Sequence, residues 1–178
     1  MKILVVSGFL GAGKTTFIRT LAERTKKDFA VMENEYGAVN VDGDLLEQTK
    51  DLNIWELTEG CICCSMQNDF ATSILTIANT VDPEYLIVEP TGVGILSKII
   101  ENIQKIEYER ITLLEPLTIL DGTMYDRCMS EFSEICEDQI QSAGRILVSK
   151  MESAAENERC SLKQKLTACL LYTSPSPR

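Results

Sequence analysis

The chain has 178 residues, a formal net charge of -10 and 44% hydrophobic residues, the profile of one soluble α/β domain with an ordinary core. That acidity excludes a phosphate-tracking basic surface, so no nucleic-acid partner is expected. Seven cysteines and no histidine, with three of the cysteines crowded into four positions, suit reduced thiols or metal ligands better than a secreted disulfide framework.

In chain order, MKILVVSGFLGAGKTT opens with a short apolar run broken by glycines, which is neither a secretion signal nor a membrane span, so a cytoplasmic location without membrane contact is expected. KILVVS (2–7) has the length and continuity of a buried parallel strand. Phe17, Ile18, Leu21 and Ala22 recur at helical spacing behind the glycines, completing a βα unit. FAVMEN (29–34) and NIWELT (53–58) read as strands. A helix carrying Met66, Phe70, Ile74, Ile77 and Val81 follows, then the strand EYLIVE (84–89) and a helix with Ile95, Ile99, Ile100 and Ile103. PLTILD (116–121) and RILVSK (145–150) are the last two strands. This alternation predicts a doubly wound, mostly parallel α/β sheet with ligands bound beyond the carboxyl ends of its strands, and GFLGAGKT at the first strand–helix junction makes it one of the P-loop NTPase kind.

The final stretch, CLLYTSPSPR, replaces a helical pattern with serine and proline, and it matches one reading frame of a common sequencing adapter. Residues 1–168 are therefore expected to be a truncated nucleotide-binding domain, and 169–178 a non-native scar, with a disordered natural tail as the alternative.

GFLGAGKT, Gly8 to Thr15, fits G-x-x-x-x-G-K-[ST] between an apolar strand and a helix. Gly8, Gly11 and Gly13 let backbone N–H groups turn toward phosphate oxygens, and Ala12 and Thr16 complete the nucleotide-contacting set. Lys14 is expected at the β and γ phosphates, and Thr15 at Mg²⁺. Phosphoryl transfer also needs an acidic residue for the metal shell and a contact that senses the γ phosphate. VEPTGVG supplies Glu89 and Gly92, resembling the D-x-x-G element of GTPases with Glu in place of Asp; an ordinary turn is the bland alternative. Asp121 is a second acidic residue at a strand end, with a simple cap or turn role as its alternative.

EGCICCSMQND (59–69) holds Cys61, Cys63 and Cys64. Adjacent Cys63 and Cys64 cannot share one buried face, and clustered thiolates suit Zn²⁺, Cu⁺ or Co²⁺. Ser65 would cap the helix that follows, whose N-terminus favours thiolate. Redox and structural roles are the alternatives. Three thiols leave a site open to completion by Glu33, Glu35 or water, which suits exchange more than storage. MENEYGAVNVDGD (32–44) is placed as a switch segment, or else a solvated acidic loop. Cys128, Cys136 and Cys160 lie on helical patterns and are read as core or surface thiols.

GFLGAGKTT, ENEYG, ELTEGCICC, IVEPTGVG and ILVSKME, in this order, resemble the CobW-type metallochaperone GTPases, relatives of the nickel-insertion GTPases for urease and hydrogenase. The resemblance covers roughly residues 1–155. It implies hydrolysis of GTP with Mg²⁺, coupled to delivery of a transition metal, Zn²⁺ or Co²⁺ foremost, to a metal-requiring client protein. It also admits a dimer that forms in response to nucleotide. Carried over, it makes Lys14, Thr15, Glu89 and Gly92 catalytic, and Cys61, Cys63 and Cys64 with Glu33 and Glu35 metal ligands. The guanine-reading N-K-x-D appears here as Ser149, Lys150, Met151 and Glu152, so Lys150 can pack on a purine and Glu152 can accept from it. Glu is a methylene longer than Asp and Ser lacks the Asn amide, which leaves the strictness of guanine selection open. Ala38 stands where relatives often carry an acid. Two other classes remain: a small-molecule kinase using the same loop, and a non-enzymatic metal buffer.

Overall fold

The computed structural model describes residues 1–25, 27–33, 53–56 and 67–171, with side chains described over 1–25, 27–33 and 70–170. Its strands are β1 (Lys2–Ser7), β2 (Phe29–Glu33), β3 (Asn53–Glu56), β4 (Tyr85–Glu89), β5 (Thr112–Leu113), β6 (Leu117–Asp121) and β7 (Arg145–Ser149). The helices are α1 (Lys14–Thr25), α2 (Gln67–Thr80), α3 (Leu96–Gln104), α4 (Tyr125–Glu131), α5 (Ser133–Gln141) and α6 (Glu156–Leu171). The strands form one sheet in the order β3-β2-β4-β1-β6-β7, and every strand pair is parallel. The expected doubly wound architecture is the observed one. Only β5 has no counterpart among the expected strands; it is two residues long and pairs with Lys2 and Ile3 of β1.

Strand side chains alternate between faces, and helices cover both, so strands that read as unbroken apolar runs feed two different cores. Ile3 and Val5 join Ala30, Met32, Leu86 and Val88 under α2 and α3. Val6 joins Val31, Ile87 and Ile119 under Ile18 of α1. A third cluster, Leu120, Tyr125, Ile140, Leu162 and Leu166, seats α4, α5 and α6. At about 1.5–3 kcal/mol for each large apolar side chain fully buried, these clusters outweigh exposed, solvent-screened ion pairs such as Lys27–Glu84.

Parallel order places every strand's carboxyl end on one edge. Register sets Glu33 of β2 opposite both Glu56 of β3 and Glu89 of β4, and Asp121 of β6 opposite Ser149 of β7. Among the described residues no helix is long and apolar enough to cross a membrane. The Cys128 and Cys136 sulfurs, expected as separate thiols, are bonded to each other, joining α4 to α5 across a Cα separation of 6.3 Å. Cys160 is exposed and free.

Candidate nucleotide site

The phosphate loop leaves β1 at Gly8 (φ +143°) and turns through Gly11 (φ +73°) and Gly13 (φ +100°), values that L side chains rarely adopt. A Cβ on Gly8 would overlap the Ile119 carbonyl oxygen of β6, so this glycine also permits a close backbone approach. The Ala12 N–H donates to the Phe9 carbonyl at 3.1 Å, closing the loop on itself. Helix α1 starts directly behind, at Lys14, and its N-terminus adds partial positive charge. A concavity of about 320 Å³ lies between Gly11, Gly13, Lys14, Thr15, Thr16 and Arg19, a built cradle for an anion.

Lys14 is buried (7% exposed), with its Nζ 3.5 Å from the Phe9 carbonyl oxygen and 3.7 Å from Oε1 of Glu89. The strand end carrying Glu89 therefore lies beside the phosphate-loop lysine, joining the two motifs that the sequence places 75 positions apart. Gly92 comes closer still: a Cβ there would sit 2.6 Å from the Leu10 nitrogen. The chain after Glu89 thus lies on the backbone of the phosphate loop. Lys14, Glu89 and Gly92 converge on the phosphate loop, whose concavity Thr15 also lines.

Ser149 reaches the same loop from β7. Its hydroxyl donates to the Ala12 carbonyl at 2.7 Å and approaches the Leu120 carbonyl at 3.4 Å. Lys150 follows with φ +59°, a left-handed conformation that costs a non-glycine residue about 1–2 kcal/mol. Its Nζ is held 2.8 Å from Oδ2 of Asp121. Asp121 therefore serves the Ser149–Lys150 segment rather than the phosphate loop. A cavity of about 640 Å³ opens beside Gly122, Lys150 and Met151 toward α6. Glu152 is exposed, and its backbone carbonyl accepts from Arg159 at 2.7 Å.

Burial pushes the Asp121 carboxyl up, but Lys150, the Thr123 hydroxyl at 2.6 Å and the Thr123 N–H at 3.0 Å outweigh it and hold the group below its ordinary 3.8. A carboxylate whose folded value is depressed stabilises the fold above the unfolded value, and that contribution is lost as pH falls through the folded one. Wild type should therefore exceed Asp121→Asn in stability at neutral pH. In urea unfolding series, that advantage should shrink as pH drops below 3.8.

Glu33 ends β2 on the same sheet edge as Glu89. Cys61, Cys63, Cys64, Glu35, Ser65 and Ala38 lie outside the described residues, as does most of the 32–44 segment. Among the described residues no group of three or more Cys, Asp or Glu side chains is arranged to hold a metal ion.

Two residues with no motif of their own border the site. Of α5, Gln139 bonds to the loop between β4 and α3 at Gly92 and Gly94, and Asp138 to Ser97 in the first turn of α3. In the sequence both sit on an ordinary amphipathic helix with no local cue to this role.

A parallel sheet with a glycine-lined phosphate loop opening a helix, and a lysine at its mouth, defines a P-loop nucleotide-binding fold. Residues 2–170 match the CobW/HypB/UreG nucleotide-binding domain, and the chain belongs to that family. It is 34% identical over 165 residues to the zinc chaperone YjiA of Escherichia coli, covering 88% of this chain and 51% of that protein. It is 32% identical over 163 residues to the zinc chaperone YeiR of Escherichia coli, covering 90% and 49%. The crystal structure of Zn(II)-bound YjiA GTPase from E. coli shares the fold with a TM-score of 0.67 at 24% identity, over 94% of this chain and 54% of that one. The chain spans about half the length of these relatives.

Proposed function

We propose that the chain is the nucleotide-binding portion of a GTP-hydrolysing metallochaperone, in which residues 1–168 are the domain and the thiols of Cys61, Cys63 and Cys64 carry the metal. The observation that carries this reading is the convergence of Lys14, Glu89 and Gly92 on one phosphate loop, with Ser149 tied to the same loop from the base-side segment. Lys14 would neutralise the β and γ phosphates, and the backbone N–H groups of the loop would hold them. Thr15 and Glu89 would supply oxygen ligands to Mg²⁺, which when bound would offset the negative charge of the phosphates. Lys150 would lie along a purine face, while Glu152 would accept from guanine N1 and N2, donors that adenine lacks at those positions. Names of relatives support zinc as cargo: YjiA and YeiR are both called zinc chaperones. Thiolate ligands agree with that choice, and Co²⁺ is the second candidate.

The segment carrying the thiols connects β3 to α2 in sequence, between the strand ends bearing Glu33 and Glu89. A γ phosphate that orders the chain on both sides would set the thiol ligands in advance. Zn²⁺ should therefore bind about tenfold tighter with Mg²⁺ and a non-hydrolysable GTP analogue than with GDP, within the ~1–3 kcal/mol usual for linked sites, and metal should tighten the analogue equally. Titrations of the reduced protein in the two nucleotide states measure this, with Cys63→Ser expected to lose metal and keep GTP. Equal metal affinities would sink the coupling and favour a passive buffer. Phosphate appearing only when a small-molecule acceptor is added, and not with water alone, would indicate a kinase.

A further inference from the structure

The loop between β4 and α3, with the first turn of α3, is held by α5 at three points. Gln139, 3% exposed, donates from Nε2 to the Gly92 carbonyl at 3.2 Å and the Gly94 carbonyl at 3.1 Å. Asp138 accepts from the Ser97 N–H at 3.1 Å, satisfying a donor in the first turn of α3 that has no intrahelical partner. The turn itself is closed by the Gly94 N–H on the Thr91 carbonyl at 2.9 Å. Gln139 is in turn fixed to the sheet, because its own carbonyl accepts from the Thr118 hydroxyl of β6 at 2.7 Å. At the other end of α5, Phe132 packs on Phe9 of the phosphate loop with ring centroids 5.1 Å apart. One helix thus touches both the phosphate loop and the loop that lies on it.

We infer that Gln139 is a positioning residue for the nucleoside triphosphate: its amide group, spent on the Gly92 and Gly94 carbonyls, keeps the Gly92 backbone seated on the phosphate loop where a γ phosphate would meet it. The argument is one of chemistry and reach. A primary amide has two protons on one nitrogen, so a single side chain can hold two carbonyls of the same turn, and at the buried Gly94 carbonyl no water stands ready to replace it. Gly92 is also close enough to Leu10 that any release of the turn changes the contact between the two loops. Diphosphate contacts come from the glycine loop and α1, which Gln139 does not touch, so its effect falls on the third phosphate. This inference rests on the nucleotide site proposed above.

Gln139→Met keeps the length and bulk of the side chain and removes both donors. Dissociation constants for a non-hydrolysable GTP analogue and for GDP, each with Mg²⁺, should change unequally. Analogue affinity should fall about tenfold, inside the ~5–150-fold span of linked sites, while GDP affinity holds. The ratio of the two constants is insensitive to partial unfolding, which weakens both alike. Ile140→Val is the control: it thins the core on the same helix, leaves the Gln139 amide in place, and should lower the unfolding temperature with the ratio unchanged. An unchanged ratio in Gln139→Met, or the same change of ratio in both variants, overturns the positioning role. A wild-type protein that binds neither nucleotide overturns the nucleotide site and this inference together.

Discussion

Lys14→Ala should lower GTP turnover by at least about 10²–10³-fold, the usual cost of removing one preorganised charge-stabilising group at a transition state. The ammonium group is buried beside the Phe9 carbonyl and Glu89, so it stands at the phosphate loop before any ligand arrives. Its loss removes the charge that the β and γ oxygens would meet. The three apolar clusters do not include Lys14, so the variant should unfold cooperatively like wild type. Phosphate release at saturating GTP, with circular dichroism as the check on folding, tests the prediction. Wild-type turnover in the variant would remove Lys14 from the site.

Gly8→Ala should be the most damaging change in the phosphate loop, and Gly11→Ala a milder one, although both glycines have positive φ. At Gly11 a Cβ has nothing within 4 Å, so the cost is the backbone conformation alone, about 1–2 kcal/mol. At Gly8 the φ of +143° is less accessible to alanine, and the added carbon would run into the Ile119 backbone of the neighbouring strand. Backbone atoms of a central strand cannot swing aside as a side chain can, so β1 and β6 must part where Ser7 pairs with Thr118. Strain of about 1–3 kcal/mol from the backbone and a similar cost of overpacking predict a total loss of about 2–6 kcal/mol. Urea unfolding of the two variants side by side is the measurement. Equal destabilisation would mean that the contact with Ile119 does not matter.

The thiol motif and the coupling proposed for it depend on residues outside the described part of the chain, and the metal titrations address them directly. The nucleotide half stands on positions the structure does describe. There, Ser149 donates its hydroxyl to the Ala12 carbonyl of the phosphate loop, and Lys150 is paired with Asp121.

The strands, most of the helices and the phosphate loop are legible in the residues alone, because their signals are local. A parallel strand covered on both faces must be apolar at consecutive positions, as in KILVVS and YLIVE, and a loop needing positive φ three times in six residues must spend glycines there. Order along the chain then implied the architecture. The strand β5 escaped because two residues carry no period. Which distant groups meet emerges only from the folded sheet: Glu89 with Lys14, Ser149 with Ala12 across 137 positions, Asp121 with Lys150, Gln139 with Gly94 across 45, and Cys128 bonded to Cys136. These meetings follow from the order β4-β1-β6-β7, which sets the carboxyl ends of four strands side by side, and from the packing of α5 against the loop after β4. A buried glutamine has the same helical spacing whether it faces a core carbonyl or a catalytic loop, so its partner is fixed only when the sheet brings that loop within hydrogen-bond reach.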